Sequence, residues 1–107
     1  MRAFVFAGAA MAIALAAAPA GAKPVARSAT VIVDKLAFGS MPAGLRVGDS
    51  VVWVNRDVFR HSATATRHFD VDLPPGAQRR MLLTKTGAFP FTCKYHPGMK
   101  GVLKVSQ

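Results

Sequence analysis

Short apolar runs separated by Gly, Pro and Asp make up the chain from Ala29 onward. Runs of roughly four to eight residues bounded by such turn formers are typical of a β-sandwich. This part of the chain has no sustained apolar period of about 3.6 residues, so no helix is predicted in it. The runs predict strands over residues 29–33, 50–55, 61–65, 69–71, 79–83, 88–93 and 102–105, with residues 35–38 continuing the first strand.

Two of these strands have a distinctive pattern. Val51 to Val54 is apolar without a break, which predicts a strand buried on both faces. Phe89, Phe91 and Cys93 alternate and are therefore predicted to share one face. Pro90 lies between them and has no N–H for a ladder. We therefore expect that strand to be unpaired on one side at Pro90, or to carry a bulge there.

The first residues follow a different pattern, that of a secretory signal peptide. Arg2 precedes an apolar stretch over residues 3–18, Pro19 breaks it, and Ala20-Gly21-Ala22 supplies small residues at a cleavage position. The alternative is an uncleaved membrane anchor, but the stretch is mostly Ala, which drives insertion weakly. Cleavage after Ala22 predicts a signal peptide over 1–22, a flexible leader over 23–28 and one domain over 29–107.

Cysteine content narrows the chemistry of this exported chain. Among 107 residues Cys93 is the only cysteine, so no disulfide can form within the chain. In an oxidising compartment a lone cysteine forms an intermolecular bridge, acts as a reactive thiol or binds a metal. A domain this small also gains stability from a bound metal. The residues that follow Cys93 favour metal binding over the other two roles.

The segment from Cys93 to Met99 places a thiolate, an imidazole and a thioether at Cys93, His96 and Met99. Three donors so close in sequence converge only if the chain bends tightly, and Pro97 and Gly98 are suited to such a bend. Thiolate and thioether ligands favour copper, and two His, one Cys and a distant Met form the ligand set of an electron-transfer copper site. The loop therefore predicts a copper centre.

A second histidine must come from elsewhere in the chain, and only His61 and His68 are available. His61 follows the buried strand and its turn, where a sandwich brings a loop beside the Cys93 end. We therefore predict that His61 is the second imidazole ligand and that His68 is a surface residue.

Beyond this ligand pattern the sequence resembles the cupredoxins, the blue-copper proteins, and most closely their amicyanin group. The resemblance rests on the spacing of Cys93, His96 and Met99, and on the segment Val47–Asp57 followed by His61. It extends to Gly87, Phe89 and Phe91 before the loop and to Lys100–Val105 after it. It thus covers nearly all of the predicted domain.

The resemblance implies a Greek-key β-sandwich that holds one copper ion, cycling between Cu(I) and Cu(II), at His61, Cys93, His96 and Met99. It implies a single-electron carrier that passes electrons between a donor and an acceptor protein. Together with the predicted signal peptide, this predicts a monomeric periplasmic protein without enzymatic activity. His96, flanked by Pro97 and Gly98, would be the point of electron exit. Ser62 stands where many cupredoxins have an Asn that ties the ligand loops together and bonds the cysteine sulfur, so Ser62 is a candidate for that role.

Charge points to the kind of partner. Fourteen Lys and Arg against five acidic residues give a formal net charge of +9. The basic residues are scattered and the chain is exported, so nucleic acid is not predicted as a partner. Four of them lie close in sequence to the ligands and are expected to steer an acidic redox partner toward the metal: Arg56, Arg60, Lys94 and Lys100.

Three other functions compete with electron transfer. A thiol enzyme would pair Cys93 with a histidine, but such a pair needs an orienting acid, and the chain has none after Asp72. A structural zinc site favours four Cys or His ligands, which the Met99 position does not supply. A periplasmic copper-delivery protein would use the same ligands without redox turnover, and the sequence leaves that alternative open.

Overall fold

In the computed structural model, residues 2–4, 7–13 and 25–107 are described. The predicted cleavage site at Ala22 and the first two leader residues lie outside these ranges. The described residues contain eight strands and no helix, so no helix among them could span a membrane. The strands are β1 (Ser28–Asp34), β2 (Ala37–Phe38), β3 (Ser50–Asn55), β4 (His61–Ala65), β5 (Phe69–Leu73), β6 (Gln78–Leu82), β7 (Gly87–Thr92) and β8 (Lys100–Val105).

The strands form two four-stranded sheets, with the orders β2-β1-β3-β6 and β5-β4-β7-β8. The chain changes sheet after β3, after β5 and after β6. Strand β1 runs parallel to β3, and the other pairings between the strands are antiparallel. The prediction of an all-β sandwich is confirmed.

The core lies between the sheets and is built around Trp53, which is fully buried. The ring of Phe91 packs edge-on against Trp53 at a centroid distance of 5.2 Å, and Phe38 packs edge-on against Phe91 at 4.8 Å. Such edge-to-face pairs add to the stabilisation from buried apolar area. Gly101 lies opposite Phe91 on β8, and a Cβ at this position would stand 2.6 Å from the Phe91 ring.

One predicted strand has the wrong shape. Residues 35–38 do not continue β1, because the chain reverses at Lys35 and Leu36 and returns as β2. Both turn residues have positive φ, 51° and 59°, which residues other than Gly and Asn seldom adopt. Carboxylates hold this turn: Asp34 accepts the N–H of Lys35, and Asp57 accepts the N–H of Leu36.

The interrupted ladder expected at Pro90 is present. Strand β7 pairs with β8 along its whole length but with β4 only at Thr64 and Thr92. The β4 side of Pro90 is thus free of ladder bonds, and a residue without an N–H fits there. Because β4 and β7 are antiparallel, this single pairing brings His61, the first residue of β4, to the end where β7 leads into Cys93.

Candidate metal centre

The loop that carries the predicted ligands, residues 93–99, leaves β7 at Cys93 and closes on itself within seven residues. The N–H of Met99 donates to the carbonyl of His96 at 2.9 Å, and the N–H of Cys93 donates to the carbonyl of Met99 at 3.0 Å. These bonds produce the tight bend that Pro97 and Gly98 predicted. Cys93 and Met99 are buried by it, whereas His96 is half-buried.

His61 is fully buried and lies across from this loop. Its Nε2 atom is 2.9 Å from Oδ2 of Asp57. An ionised carboxylate only accepts hydrogen bonds, so Nε2 carries the proton and Nδ1 keeps a free lone pair. The Asp57 side chain therefore fixes both the tautomer and the orientation of the imidazole. A metal-ligating histidine typically has such a partner.

Asp57 is itself held by the fold. It accepts hydrogen bonds from the N–H groups of Leu36 and Val58, and its own N–H donates to the side chain of Asn55. The hydrogen bond to His61, followed by that from Leu36, lowers the pKa of the Asp57 carboxyl below its usual range. The carboxylate is therefore ionised at neutral pH and remains an acceptor for His61.

Three donor atoms from the two loops converge on one point. The Nδ1 atoms of His61 and His96 are 3.1 Å apart, and Sγ of Cys93 lies 3.7 Å and 3.6 Å from them. The point equidistant from three atoms so spaced is about 2.0 Å from each, close to the roughly 2.0 to 2.3 Å of metal–nitrogen and metal–sulfur bonds. A first-row transition-metal ion fits this triangle of one sulfur and two nitrogens.

The other two candidate residues from the sequence lie in different places. His68 is exposed in the turn between β4 and β5, at the end of β4 away from His61, and packs edge-on against Phe89. The prediction that it is a surface residue is confirmed. Met99 is buried in the core at the end of the ligand loop. Its role as an axial ligand stays a prediction.

Ser62 ties the segment that begins at His61 to the loop after Cys93, but it does not reach the sulfur. Its fully buried Oγ atom accepts the backbone N–H of Lys94 at 2.9 Å and lies 2.9 Å from the hydroxyl of Thr64. Among the described residues, the polar atoms in contact with Cys93 Sγ are the Nδ1 atoms of the two histidines. Of the two parts of the role expected of Ser62, the structure therefore has the tether between the loops. Among the described residues it has no hydrogen bond from Ser62 to the sulfur.

The surface above His96 is largely apolar. The ring of Phe59 lies edge-on to the imidazole at 6.0 Å, and Val58 beside it is 79% exposed. Pro97 and Gly98, which follow His96 in the sequence, are exposed. The half-buried imidazole thus connects the buried triangle to an apolar surface.

Two of the four basic residues expected at this end are neutralised. Arg60 forms a two-pronged ion pair with Asp72, at 3.0 and 2.6 Å, and Lys94 pairs with Asp70 at 3.0 Å. Within residues 25–107, Arg56 and Lys100 form no ion pair. The positive field at this end is therefore weaker than the sequence suggested.

Sequence reasoning missed Asp57 and Phe59, although both stand in the turn between β3 and His61. The chain has no acidic residue after Asp72, but an acid that orients a histidine is present earlier in the chain, since Asp57 precedes His61 by four residues and bonds to it. An Asp in the turn that leads to a predicted histidine ligand was the signal available.

No protein-family model matches the sequence. Among solved structures, an oxidised point mutant of amicyanin matches with a TM-score of 0.65 and 22% identity over 74% of this chain and 82% of amicyanin. Amicyanin from Paracoccus versutus matches with a TM-score of 0.63 and 20% identity over 81% of this chain and 87% of that one. A Cu-containing nitrite reductase from Thermus scotoductus SA-01 matches with a TM-score of 0.62 and 28% identity over 80% of this chain, but over only 23% of the enzyme. The chain has the cupredoxin fold.

Proposed function

We propose that this chain is a type 1 copper protein that carries single electrons between redox partners. The observation that carries the proposal is the convergence of His61 Nδ1, His96 Nδ1 and Cys93 Sγ around a point about 2.0 Å from each. Two imidazoles and one thiolate in a trigonal arrangement are the ligands of electron-transfer copper sites. Bound copper would supply one-electron chemistry by cycling between Cu(I) and Cu(II).

The ligands would have distinct roles. Cys93 would bind as the thiolate, and its burial keeps water and other thiols away from the sulfur. His61 and His96 would hold the copper through Nδ1, and Met99 would supply a weak thioether contact that tunes the potential. Asp57 would keep His61 oriented in both oxidation states, so little rearrangement would accompany each electron.

Electrons would enter and leave through His96. Its ring lies between the buried donor triangle and an apolar surface that includes Phe59, Val58 and Pro97. A partner docked there would exclude water from the contact and approach the ligand edge directly. This surface favours a partner with an apolar contact area.

The unpaired charges at the metal end indicate the surface chemistry of the donor and acceptor proteins. Arg56 and Lys100 lack ion pairs within residues 25–107 and lie in sequence beside the proposed ligand segments. We therefore propose partners with an acidic rim, whose association slows as salt rises.

Export to the periplasm and a monomeric state are parts of the same proposal. The apolar stretch over residues 3–18 and the small residues before Lys23 support a cleaved signal.

The buried sulfur of Cys93 argues against a thiol enzyme, because a nucleophile must reach its substrate. The nitrite reductase match extends over about a quarter of that enzyme and supports a shared domain, not a shared activity.

Copper loading tests the proposal. The Cu(II) form should show an intense visible band from thiolate-to-copper charge transfer, which disappears on reduction and returns on reoxidation. Cys93→Ser should abolish this band, whereas His68→Gln, which changes the exposed histidine beside Phe89, should leave it intact. Oxidised copper protein without the band would contradict the proposal.

The copper-delivery alternative predicts a different ranking of rates. Reduced protein is mixed anaerobically with a copper acceptor, or with an oxidant, and the two transfers are timed. Electron transfer faster than copper release supports the carrier. Copper release that outpaces electron transfer would favour delivery. Metal analysis of the native protein is a separate test, in which zinc would favour a structural site.

A further inference from the structure

A chain of hydrogen bonds links the peptide after Cys93 to a surface ion pair. The N–H of Lys94 donates to Ser62, and Thr64 donates to Oδ1 of Asp70 at 2.8 Å. Since the Thr64 proton is committed to the carboxylate, Ser62 must donate its own proton to Thr64 across their 2.9 Å contact. Asp70 Oδ2 then accepts from Nζ of Lys94 at 3.0 Å, which closes a ring.

This ring, the Lys94 clamp of Ser62, Thr64, Asp70 and Lys94, has a fixed direction. Asp70 is an acceptor only, so both hydroxyl protons point toward it and the Ser62 oxygen is left free to accept from Lys94. Hydrogen bonds in a chain of one direction polarise and strengthen one another. The bonds from Thr64 and Lys94 lower the pKa of Asp70, so the carboxylate stays ionised at neutral pH.

The clamp connects the two segments that would hold the metal. Ser62 is the residue after His61, and Lys94 is the residue after Cys93. Strands β4 and β7 pair at one position only, so few ladder bonds fix one segment relative to the other. The bond from Lys94 N–H to the buried Ser62 is therefore a main tie between them.

We propose that Asp70 and Thr64 are positioning residues which, through Ser62, hold the Cys93 peptide in register with His61 and so keep the donor triangle preformed without metal. The proposal rests on the proposed function for its purpose, since a preformed site limits rearrangement between oxidation states. The tie itself is a property of the apoprotein. The exposed Asp70–Lys94 ion pair alone would contribute little, because solvent screens such pairs.

Amide exchange in the apoprotein tests the clamp without copper. Thr64→Val keeps the shape of the side chain and removes the hydroxyl that links Ser62 to Asp70. The exchange rate of the Lys94 N–H, followed by NMR, should rise roughly tenfold in this variant. Thr92→Val is the matched control, because Thr92 pairs with Thr64 on β7 and its hydroxyl bonds to none of the described residues. That variant should exchange at the wild-type rate.

Asp70→Ala tests the outer end of the same chain, with Asp72→Ala as its control. Both aspartates are exposed on β5, but Asp72 pairs with Arg60 instead of joining the clamp. Faster exchange of the Lys94 N–H in Asp70→Ala and not in Asp72→Ala supports the proposal. Unchanged exchange in both Thr64→Val and Asp70→Ala, or equal acceleration in the two controls, would overturn it.

The copper-loaded protein separates this proposal from the proposed function. A wild-type protein that lacks the thiolate-to-copper band would refute the copper carrier, whatever the amide exchange shows. If the band is present, the electron self-exchange rate should fall severalfold in Thr64→Val and not in Thr92→Val. A self-exchange rate unaffected by Thr64→Val would overturn the link between the clamp and electron transfer.

Discussion

The Nε2 atom of His61 lies 2.9 Å from a carboxylate oxygen of Asp57, and its Nδ1 atom faces Cys93 and His96. One nitrogen of the ring is thus used for orientation and the other is free to bind a metal. The same oxygen of Asp57 accepts the N–H of Leu36, so His61 is anchored to the turn between β1 and β2 as well as to its own strand.

Removal of the Asp57 carboxylate should weaken copper binding. Because the ligand would lose its orienting partner, Asp57→Ala should lower copper affinity by about 10- to 100-fold, measured by competition with a chelator. Asp34→Ala is the control. Asp34 accepts the N–H of Lys35 in the turn between β1 and β2 and does not bond to a histidine. Equal affinities in Asp57→Ala and wild type would show that Asp57 does not support the ligand.

Replacement of Met99 should change the reduction potential and not the copper content. A thioether stabilises Cu(II) slightly more than an alkyl group does, so Met99→Leu should keep copper and raise the potential, measured by redox titration. Met81→Leu changes a methionine that packs against the core elsewhere and should leave the potential unchanged. If Met99→Leu has the wild-type potential, Met99 is not axial.

A methyl group at Gly101 should destabilise the sandwich. Its Cβ would lie 2.6 Å from the Phe91 ring, which is buried against Trp53 and cannot move without disturbing the core. We expect Gly101→Ala to reduce the free energy of unfolding by about 1 to 3 kcal/mol in urea titrations. Gly98 has no atom within 4 Å of an added Cβ, so Gly98→Ala should unfold like the wild type. Comparable stability of the two variants would disprove the steric argument.

Asp49 should make stability depend on pH in the acid range. It accepts the N–H groups of Arg27 and Arg46, and the Arg27 bond is the main reason that its pKa falls below 3.8. A carboxyl whose pKa is lowered by folding stabilises the fold above its unfolded pKa, and this contribution is lost as the pH falls through the folded value.

Asp49→Asn should therefore be less stable than wild type at neutral pH, and the gap should narrow as the pH falls below about 3.8. Unfolding curves over a series of pH values measure this gap. A gap that stays constant from neutral pH into this acid range would contradict the assigned pKa shift.

The sequence predicted that His61, Cys93 and His96 converge, because their identity and spacing are enough to specify a loop and a second segment, and their donor atoms do lie together. It did not identify Asp57 or Asp70, because a carboxylate that pairs with a ligand segment is recognised only once turn geometry places it there. The reversal at Lys35 and Leu36 was missed for the same reason. Neither residue favours positive φ, and the turn depends on acceptors from Asp34 and Asp57.

The charges at the metal end show the same limit. Arg60 and Lys94 are near the ligands in sequence, but each is paired with an aspartate on β5. Strand order decides such pairings, and composition does not reveal them.

X-ray absorption at the copper edge of the Cu(II)-loaded protein tests most directly whether His61, Cys93 and His96 meet on one ion. We expect one short copper–sulfur bond and two imidazole nitrogens in the first shell, with the sulfur absent in Cys93→Ser. A first shell that contains only nitrogen and oxygen in the wild-type protein would contradict this expectation.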